Sequence, residues 1–357
     1  MKKLKTLLKQ SIMRKLNYCT LFIGILFFIA CEKNELTNDV NITTPNINDP
    51  ELAFPNKSGT LKKGFYLGMP ITYEVIDNQY ITNGDIMLPK NQVYDSMEGI
   101  ILEPGQKPSA HKIFSAGRSD SRWPNNTVYY SIDPNLPNKY RATDAIRHWE
   151  SKTNLKFIQR TNQPNYVYFY SGPGCSSHVG MQGGIQYISL AGGCTTGAAI
   201  HEIGHAVGLF HEHARADRDQ YVTIHWQNIQ SGTAYNFETY LQRGYRGSDN
   251  TAFDFNSIMM YGAFSFTINS NPTITKLNGN TYQHQRNGLS RLDIQGINKM
   301  YPASGTGGGG GTPTYVNGQW YTVHGLRVYR YSNVWWYQYH GTWRQVEYVN
   351  NQWQYVK

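Results

Sequence analysis

Apolar residues are spaced unevenly along this chain, and the changes in spacing mark out its elements. A basic stretch leads into an apolar run at 21–30. Residues 32–60 are rich in Asn, Thr, Pro and Asp with little apolar periodicity, and read as a tether. Over 65–93 short apolar runs alternate with Gly, Asn and Pro, which predicts strands and turns without much core. A denser pattern begins near Trp123. The run TVYYSI at 127–132 predicts a strand. Ala142, Ala145, Ile146 and Trp149 share one face of a helix predicted over 139–149. Strands follow at 155–158, 166–170 and 185–190, and then a helix at 196–210 with Thr195 or Thr196 as its cap. The glycine-rich stretch 304–311 reads as a flexible linker. Beyond it Asn-x-x-Trp recurs at Asn317, Asn333 and Asn350, steps of 16 and 17 residues. So short a period predicts strand–turn units that bury their faces on one another.

Composition changes little in this picture. Hydrophobic content of 39% over 357 residues supports a real core. The net charge of +9 points to nucleic acid until it is located: Lys2, Lys3, Lys5, Lys9, Arg14 and Lys15 carry six of the nine, leaving +3 for the rest. No Lys/Arg cluster with interleaved aromatics is present, so no nucleic-acid partner is expected. Basic residues, an apolar run too short to span a bilayer and small residues at its end make an export signal over 1–30. Ile29-Ala30-Cys31 resembles a bacterial lipobox, in which Cys31 would be acylated; the alternative is a chance cysteine at the end of a signal. Cys19 leaves with the signal, so Cys175 and Cys194 remain, and an exported pair is most simply a disulfide.

The candidate chemistry lies between His201 and Asp219. His201 and His205 stand at i and i+4, on one face of a helix, so both reach a single ion. Glu202 is offset around the helix, where its carboxylate can meet a water on that ion. Gly208 can end the helix in a sharp turn that brings His211 back as third ligand. Three imidazoles favour one zinc ion and leave a position open for water, with Glu202 as general base. The bland reading is a helix that happens to carry histidines. The full H-E-x-x-H-x-x-G-x-x-H run argues against it.

The longer run HEIGHAVGLFHEHARADRD, with Ser257-Ile258-Met259-Met260-Tyr261, resembles the astacin family of zinc metallopeptidases. The resemblance covers Arg118 to Tyr301 and implies an α+β fold. A two-lobed metzincin-type catalytic domain with an active-site helix and mixed sheet is expected, followed by a small aromatic-rich β tail. It implies Met259 as an apolar floor to the metal, Tyr261 as stabiliser of the oxyanion, and Glu212 as the contact for the mature N-terminus. It pairs Cys175 with Cys194, and makes 175–179 the edge strand onto which substrate adds. A second disulfide, common in the family after K-x-Y, has no counterpart, since Pro302 and Ala303 follow Lys299-Met300-Tyr301. Gly84-Asp85-Ile86 resembles the family's pro-region motif, which implies that Asp85 occupies the metal's open position. The alternative is that Asn83-Gly84 is a hairpin turn with Asp85 its solvated neighbour.

The expected organisation is signal 1–30, tether and pro-region 31–117, peptidase domain 118–303, linker 304–312 and aromatic tail 313–357. The expected function is a secreted or surface-anchored zinc endopeptidase, made as a zymogen and trimmed within 111–122, acting on protein or peptide substrates. Membrane contact is expected only through lipid at Cys31, with extracellular release after processing as the alternative location. The thirteen Trp and Tyr of 313–357 offer a platform for polysaccharide or fibrous protein, or else the core of a small domain that aids folding. Two rival functions are a surface binding protein with an inactive peptidase fold and a cell-wall amidase. The first would lack Glu202 or a histidine; the second would carry a distant third ligand.

Overall fold

The computed structural model describes residues 51–66, 69–96, 101–102, 122–243, 249–303, 315–323, 326–339, 341–349 and 352–356. The expected signal, Cys31, the whole linker 304–312 and all of 111–122 but Arg122 lie outside the described residues. No described helix is long and apolar enough to cross a membrane.

The first element group is an antiparallel sheet of β1 (Thr60–Tyr66), β2 (Met69–Ile76), β3 (Gln79–Thr82), β4 (Ile86–Leu88) and β5 (Val93–Tyr94), ordered β4-β3-β2-β1-β5. The sequence pattern predicts little core here, yet Tyr66, Ile71, Tyr73 and Leu88 are buried in a cluster completed by Phe210, Ala216 and Tyr240. The missing apolar partners come from far along the chain, which local periodicity does not display. The tether reading of 32–60 is also corrected at its end. Leu52 O accepts a hydrogen bond from Cys175 N at 3.0 Å, and Ala53 N donates to Gly84 O at 2.9 Å.

After the two-residue strand β6 (Ile101–Leu102) comes the sheet predicted around Trp123. Strands β7 (Thr127–Ile132), β8 (Lys156–Gln159), β9 (Tyr166–Tyr170), β10 (Cys175–Ser176) and β11 (Ile185–Leu190) order as β10-β11-β9-β7-β8. All neighbours are parallel except β10, which runs antiparallel along β11 at the edge. Only Cys175 and Ser176 form strand there, shorter than the expected 175–179. Helices α1 (Tyr140–Lys152) and α2 (Thr196–Ala206) pack together beside this sheet. Trp149, fully buried, donates Nε1–H to Ile200 O at 3.0 Å. The Arg141 guanidinium donates to the carbonyls of Ala191, Cys194 and Pro137 and so fixes the loop that leads into α2.

Thr195 caps α2, its hydroxyl accepting from Ala198 N. The helix ends at Ala206, four residues before the expected Phe210. The apolar pattern runs on through Phe210, but Gly208 sits at φ 108°, a conformation that a side chain resists. Beyond it lies a second apolar cluster, with Val222 and Ile274 of the two-stranded sheet β12 (Val222–Ile224) and β13 (Ile274–Lys276), Phe237 and Tyr261. The catalytic-type domain closes with α3 (Arg291–Met300). Its ends meet without a second disulfide: Trp123 N–H donates to Tyr301 Oη, whose own hydroxyl donates to Val207 O at 3.0 Å, and Asn126 Nδ2 donates to Pro302 O at 2.8 Å.

The tail is a meander of β14 (Gln319–Val323), β15 (Leu326–Tyr331), β16 (Val334–Tyr339), β17 (Thr342–Val349) and β18 (Gln352–Tyr355), with β6 added in parallel beyond β18. Alternation gives the sheet two faces. One buries Leu326, Val328, Tyr337, Val346 and Trp353. The other carries Trp320, Tyr329, Tyr331, Trp336 and Trp343 around an open hollow of about 580 Å³.

Candidate metal centre

Helix α2 brings His201 and His205 to one face, and the turn at Gly208 returns His211 to the same point. Their rings are fully buried or nearly so. His201 Nδ1 lies 2.8 Å from Ile258 O and His205 Nδ1 lies 2.8 Å from Leu209 O. Each carbonyl accepts a hydrogen bond from Nδ1–H, which leaves the Nε2 lone pair aimed inward. His211 Nε2 and His201 Nε2 stand 3.3 Å apart. Three imidazoles meeting at one point are a donor set that fits zinc.

Asp85 completes this cluster. Its Oδ2 lies 3.2 Å from His201 Nε2 and 3.1 Å from His211 Nε2, and its Oδ1 lies 3.6 Å from His205 Nε2. One ligand atom from each of the four residues falls within 4.8 Å of the others. Asn83 and Gly84 do make a hairpin tip, at φ 50° and 78°. Asp85 is nevertheless no solvated neighbour, because it is 0% exposed. Burial pushes its carboxyl up, but His211 and His205 outweigh that and hold it well below the usual range.

Glu202 is also 0% exposed, and neither carboxylate oxygen has a hydrogen-bond partner among the described residues. Burial first, then the negative charges of Asp85 and Glu51, raise its pKa well above the ordinary value. Met259 lies beneath the helix, so close that a Cβ on Gly204 would meet its sulfur at 2.7 Å. Tyr261 stacks on His213 with centroids 3.9 Å apart, and its hydroxyl donates to Asn83 O at 2.6 Å. It therefore points at the N-terminal hairpin. Glu212 accepts from Asp254 N at 2.8 Å and faces the Arg215 guanidinium at 3.3 Å. Burial raises its pKa to about 8, against the pull of Arg215. Cys175 and Cys194 form a disulfide.

Four residues essential to this arrangement do not stand out in the sequence. Arg286 grips Glu51 through two bonds of 2.5 and 2.7 Å. The Arg243 guanidinium donates to the Asn83 and Thr82 side chains and to Tyr235 O. Asp293 accepts from Ile258 N and Ser257 Oγ, at 2.9 and 2.7 Å, which fixes the turn that carries Met259. Only Asp293 has a local signal, since Ser290 and Asp293 form a capping box at the start of α3. The N-terminal hairpin also lies against the sheet edge: Met87 N donates to Ser177 O at 2.8 Å and Ser177 N to Asp85 O at 3.1 Å. Ile86 and Ser177 thus form a parallel bridge just past β10.

Histidines from a helix and the turn after it, set over a buried methionine turn between two apolar clusters, define a metzincin-type fold with a three-histidine metal centre. The profile of the astacin peptidase family matches residues 115–302, more than half of the chain. The chain belongs to the astacin family. It is 38% identical over 231 residues to Blastula protease 10 of Paracentrotus lividus, covering 61% of this chain and 38% of that protein. It is 38% identical over 188 residues to astacin-like metalloprotease toxin 1 of Loxosceles intermedia, covering 50% of this chain and 70% of the toxin. Among solved structures it is similar to high choriolytic enzyme 1, a hatching enzyme zinc-protease from Oryzias latipes. That match has 35% identity and a TM-score of 0.46, over 56% of this chain and 98% of the other. The chain spans less than half the length of the first curated relatives it matches, 37–45% in four of them.

Proposed function

We propose that this chain is an exported zinc endopeptidase made as a zymogen, hydrolysing peptide bonds in protein substrates. One observation carries the reading. Three buried imidazole Nε2 atoms converge beside a buried glutamate whose carboxylate lacks any hydrogen-bond partner among the described residues. A metalloprotease toxin among its relatives supports the same chemistry.

His201, His205 and His211 would hold the ion. When bound, zinc polarises a carbonyl and lowers the pKa of water from 15.7 to about 7. Glu202 would take a proton from the attacking water and later deliver it to the leaving amine. Tyr261, once released from Asn83, donates its O–H to the developing oxyanion. Asp85 provides latency, because a carboxylate is a good zinc ligand and fills the position water needs. The hairpin also lies along Ser177, where an extended substrate would add by main-chain hydrogen bonds. Trimming within 111–122 frees an ammonium for Glu212. Export rests on the signal-like 1–30 and the Cys175–Cys194 disulfide, with Cys31 as the lipid-anchor site. The open aromatic face of the tail holds polysaccharide or fibrous protein, since flat rings offer apolar area with polar edges.

The test is casein cleavage by the trimmed protein after its severed N-terminal segment has been removed. A chelator should abolish it and stoichiometric zinc restore it. Glu202→Ala should keep one zinc per chain and lose about 10²–10⁴-fold in rate, the range of a general base. Cleavage by Glu202→Ala at near the wild-type rate would overturn the assignment.

A further inference from the structure

The buried face of the tail sheet has an unexpected partner. Its apolar cluster takes in Phe65, Tyr94 and Ile101 and, among the described residues, nothing from 122–303. Phe65 and Tyr94 face one another in the N-terminal sheet, and the Phe65 ring lies 6.0 Å from Tyr339. Strand β6 pairs Ile101 with Trp353 and Leu102 with Gln354. Ile101 is 6% exposed and Trp353 is 0% exposed. Without β6, strand β18 would be a bare sheet edge of the kind that proteins cover.

Every one of these tail contacts precedes residue 103, whereas the trimming region proposed above begins at 111. A cut there leaves all of them on the severed piece, while the tail stays joined to the peptidase domain through the linker. From this geometry we infer that the tail is the docking module of the pro-segment, which it retains after cleavage. The inference rests on the zymogen reading. The severed segment is held at two places, by Glu51, Asn83 and Asp85 at the metal cleft and by Phe65, Tyr94 and Ile101 at the tail. Two linked attachments make each other's rebinding intramolecular, and such linkage multiplies retention by about 10²–10⁴-fold. Latency therefore ends when the segment leaves the tail, and the cut alone does not end it.

The experiment uses the full chain with Glu202→Ala, so that nothing self-digests, and a recognition sequence for an unrelated site-specific protease inserted within 103–117. After complete cutting, dissociation of the N-terminal fragment is followed by gel filtration over time. The fragment should co-elute with the remainder. Deletion of 304–357 should speed its loss at least about tenfold. Ile101→Asp should do the same with the tail in place, and Ile101→Ala should fall between. Circular dichroism and thermal melting confirm that each variant is folded before cutting. Equal dissociation rates with and without the tail, or no effect of either Ile101 variant, overturn the inference. The readout is independent of activity. A zymogen reading that failed, with uncut wild type fully active, is therefore seen separately from a fragment that leaves too fast.

Discussion

Replacing Asp85 by alanine removes one buried carboxylate from among three imidazoles and leaves most of the hairpin's other anchors in place. Asp85 is fully buried, and its oxygens lie 3.1–3.6 Å from three Nε2 atoms. With zinc held by the three histidines, Asp85 would be the anionic half of a buried charge pair, and removing one partner of such a pair costs about 3–5 kcal/mol. At 1.4 kcal/mol per tenfold, the population of chains with the cleft open should rise by roughly two to three and a half powers of ten. The rise should stop short of full activity. Arg286 still holds Glu51, and Tyr261 and Arg243 still hold Asn83. The assay is hydrolysis of a short quenched fluorescent peptide, measured at early times on chains shown by mass spectrometry to be uncut. Uncut Asp85→Ala should exceed uncut wild type by about 100-fold or more and remain below the trimmed enzyme freed of its severed segment. Two results would refute this role for Asp85: uncut Asp85→Ala as silent as wild type, or uncut wild type as active as the trimmed form freed of its severed segment.

Glu51 gives a pH-dependent companion. Burial raises its pKa, but the Arg286 guanidinium outweighs that and draws it down from 4.5 to about 2. A depressed carboxyl stabilises fully above its unfolded pKa and loses the contribution as pH falls through the folded one. The melting-temperature gap between the wild-type precursor and Glu51→Gln should therefore be constant above about pH 4.5 and close between pH 4.5 and 2, with roughly 3 kcal/mol at stake. A gap that widens on acidification would contradict the pairing. On the tail, Trp320→Ala with Trp343→Ala removes two rings 5.3 Å apart on the open face. Retention on an insoluble polysaccharide or fibrous matrix should fall while cleavage of small peptides stays unchanged; unchanged retention across several matrices would end the platform reading.

Local chemistry makes much of the metal site legible in the sequence itself. The histidines lie within eleven residues, and helical spacing plus one glycine turn is enough to converge them. The strands at 127–132, 166–170 and 185–190 are legible for a similar reason, since each is a short apolar run closed by turn residues. Apart from Asp85, the side chains that anchor the N-terminal hairpin in the cleft are not. Glu51 and Arg286 are 235 residues apart, and Asn83 and Arg243 are 160 apart. Single charged residues in polar stretches look like solvated surface until the fold buries them. The end of α2 shows a different failure. Apolar spacing continues through Val207–Phe210, and the backbone angle at Gly208 decides against it. Ile101 carries no signal at all, because a two-residue strand joined in parallel to a distant one leaves no period to read.

Under the proposed zymogen function, Glu212 gives cutting the chain an effect separate from the departure of Asp85. In the uncut chain it is a buried carboxylate whose pKa stands at about 8, with Arg215 compensating only in part. An acid raised by burial binds its proton more tightly folded than unfolded. The precursor therefore loses stability as pH rises from the ordinary carboxyl value toward 8. A new N-terminal ammonium beside Glu212 reverses that sign, since an opposite charge within a few ångströms favours the ionised carboxylate. Trimming then converts a destabilising group into a paired one at the very turn that carries His211. The free energy so released belongs to the cut form alone. It makes no difference to whether Asp85 can leave the intact chain, but it favours the trimmed domain over its own precursor. Under the proposed zymogen function, Asp85 and Glu212 would act on separate steps, the first on whether the cleft is open and the second on whether the trimmed domain holds its mature arrangement. A Glu212→Gln chain should accordingly keep the latency of wild type when uncut and lose stability relative to wild type only after trimming, as thermal melts of both forms at neutral pH would show; an uncut Glu212→Gln chain that is already active would break the separation.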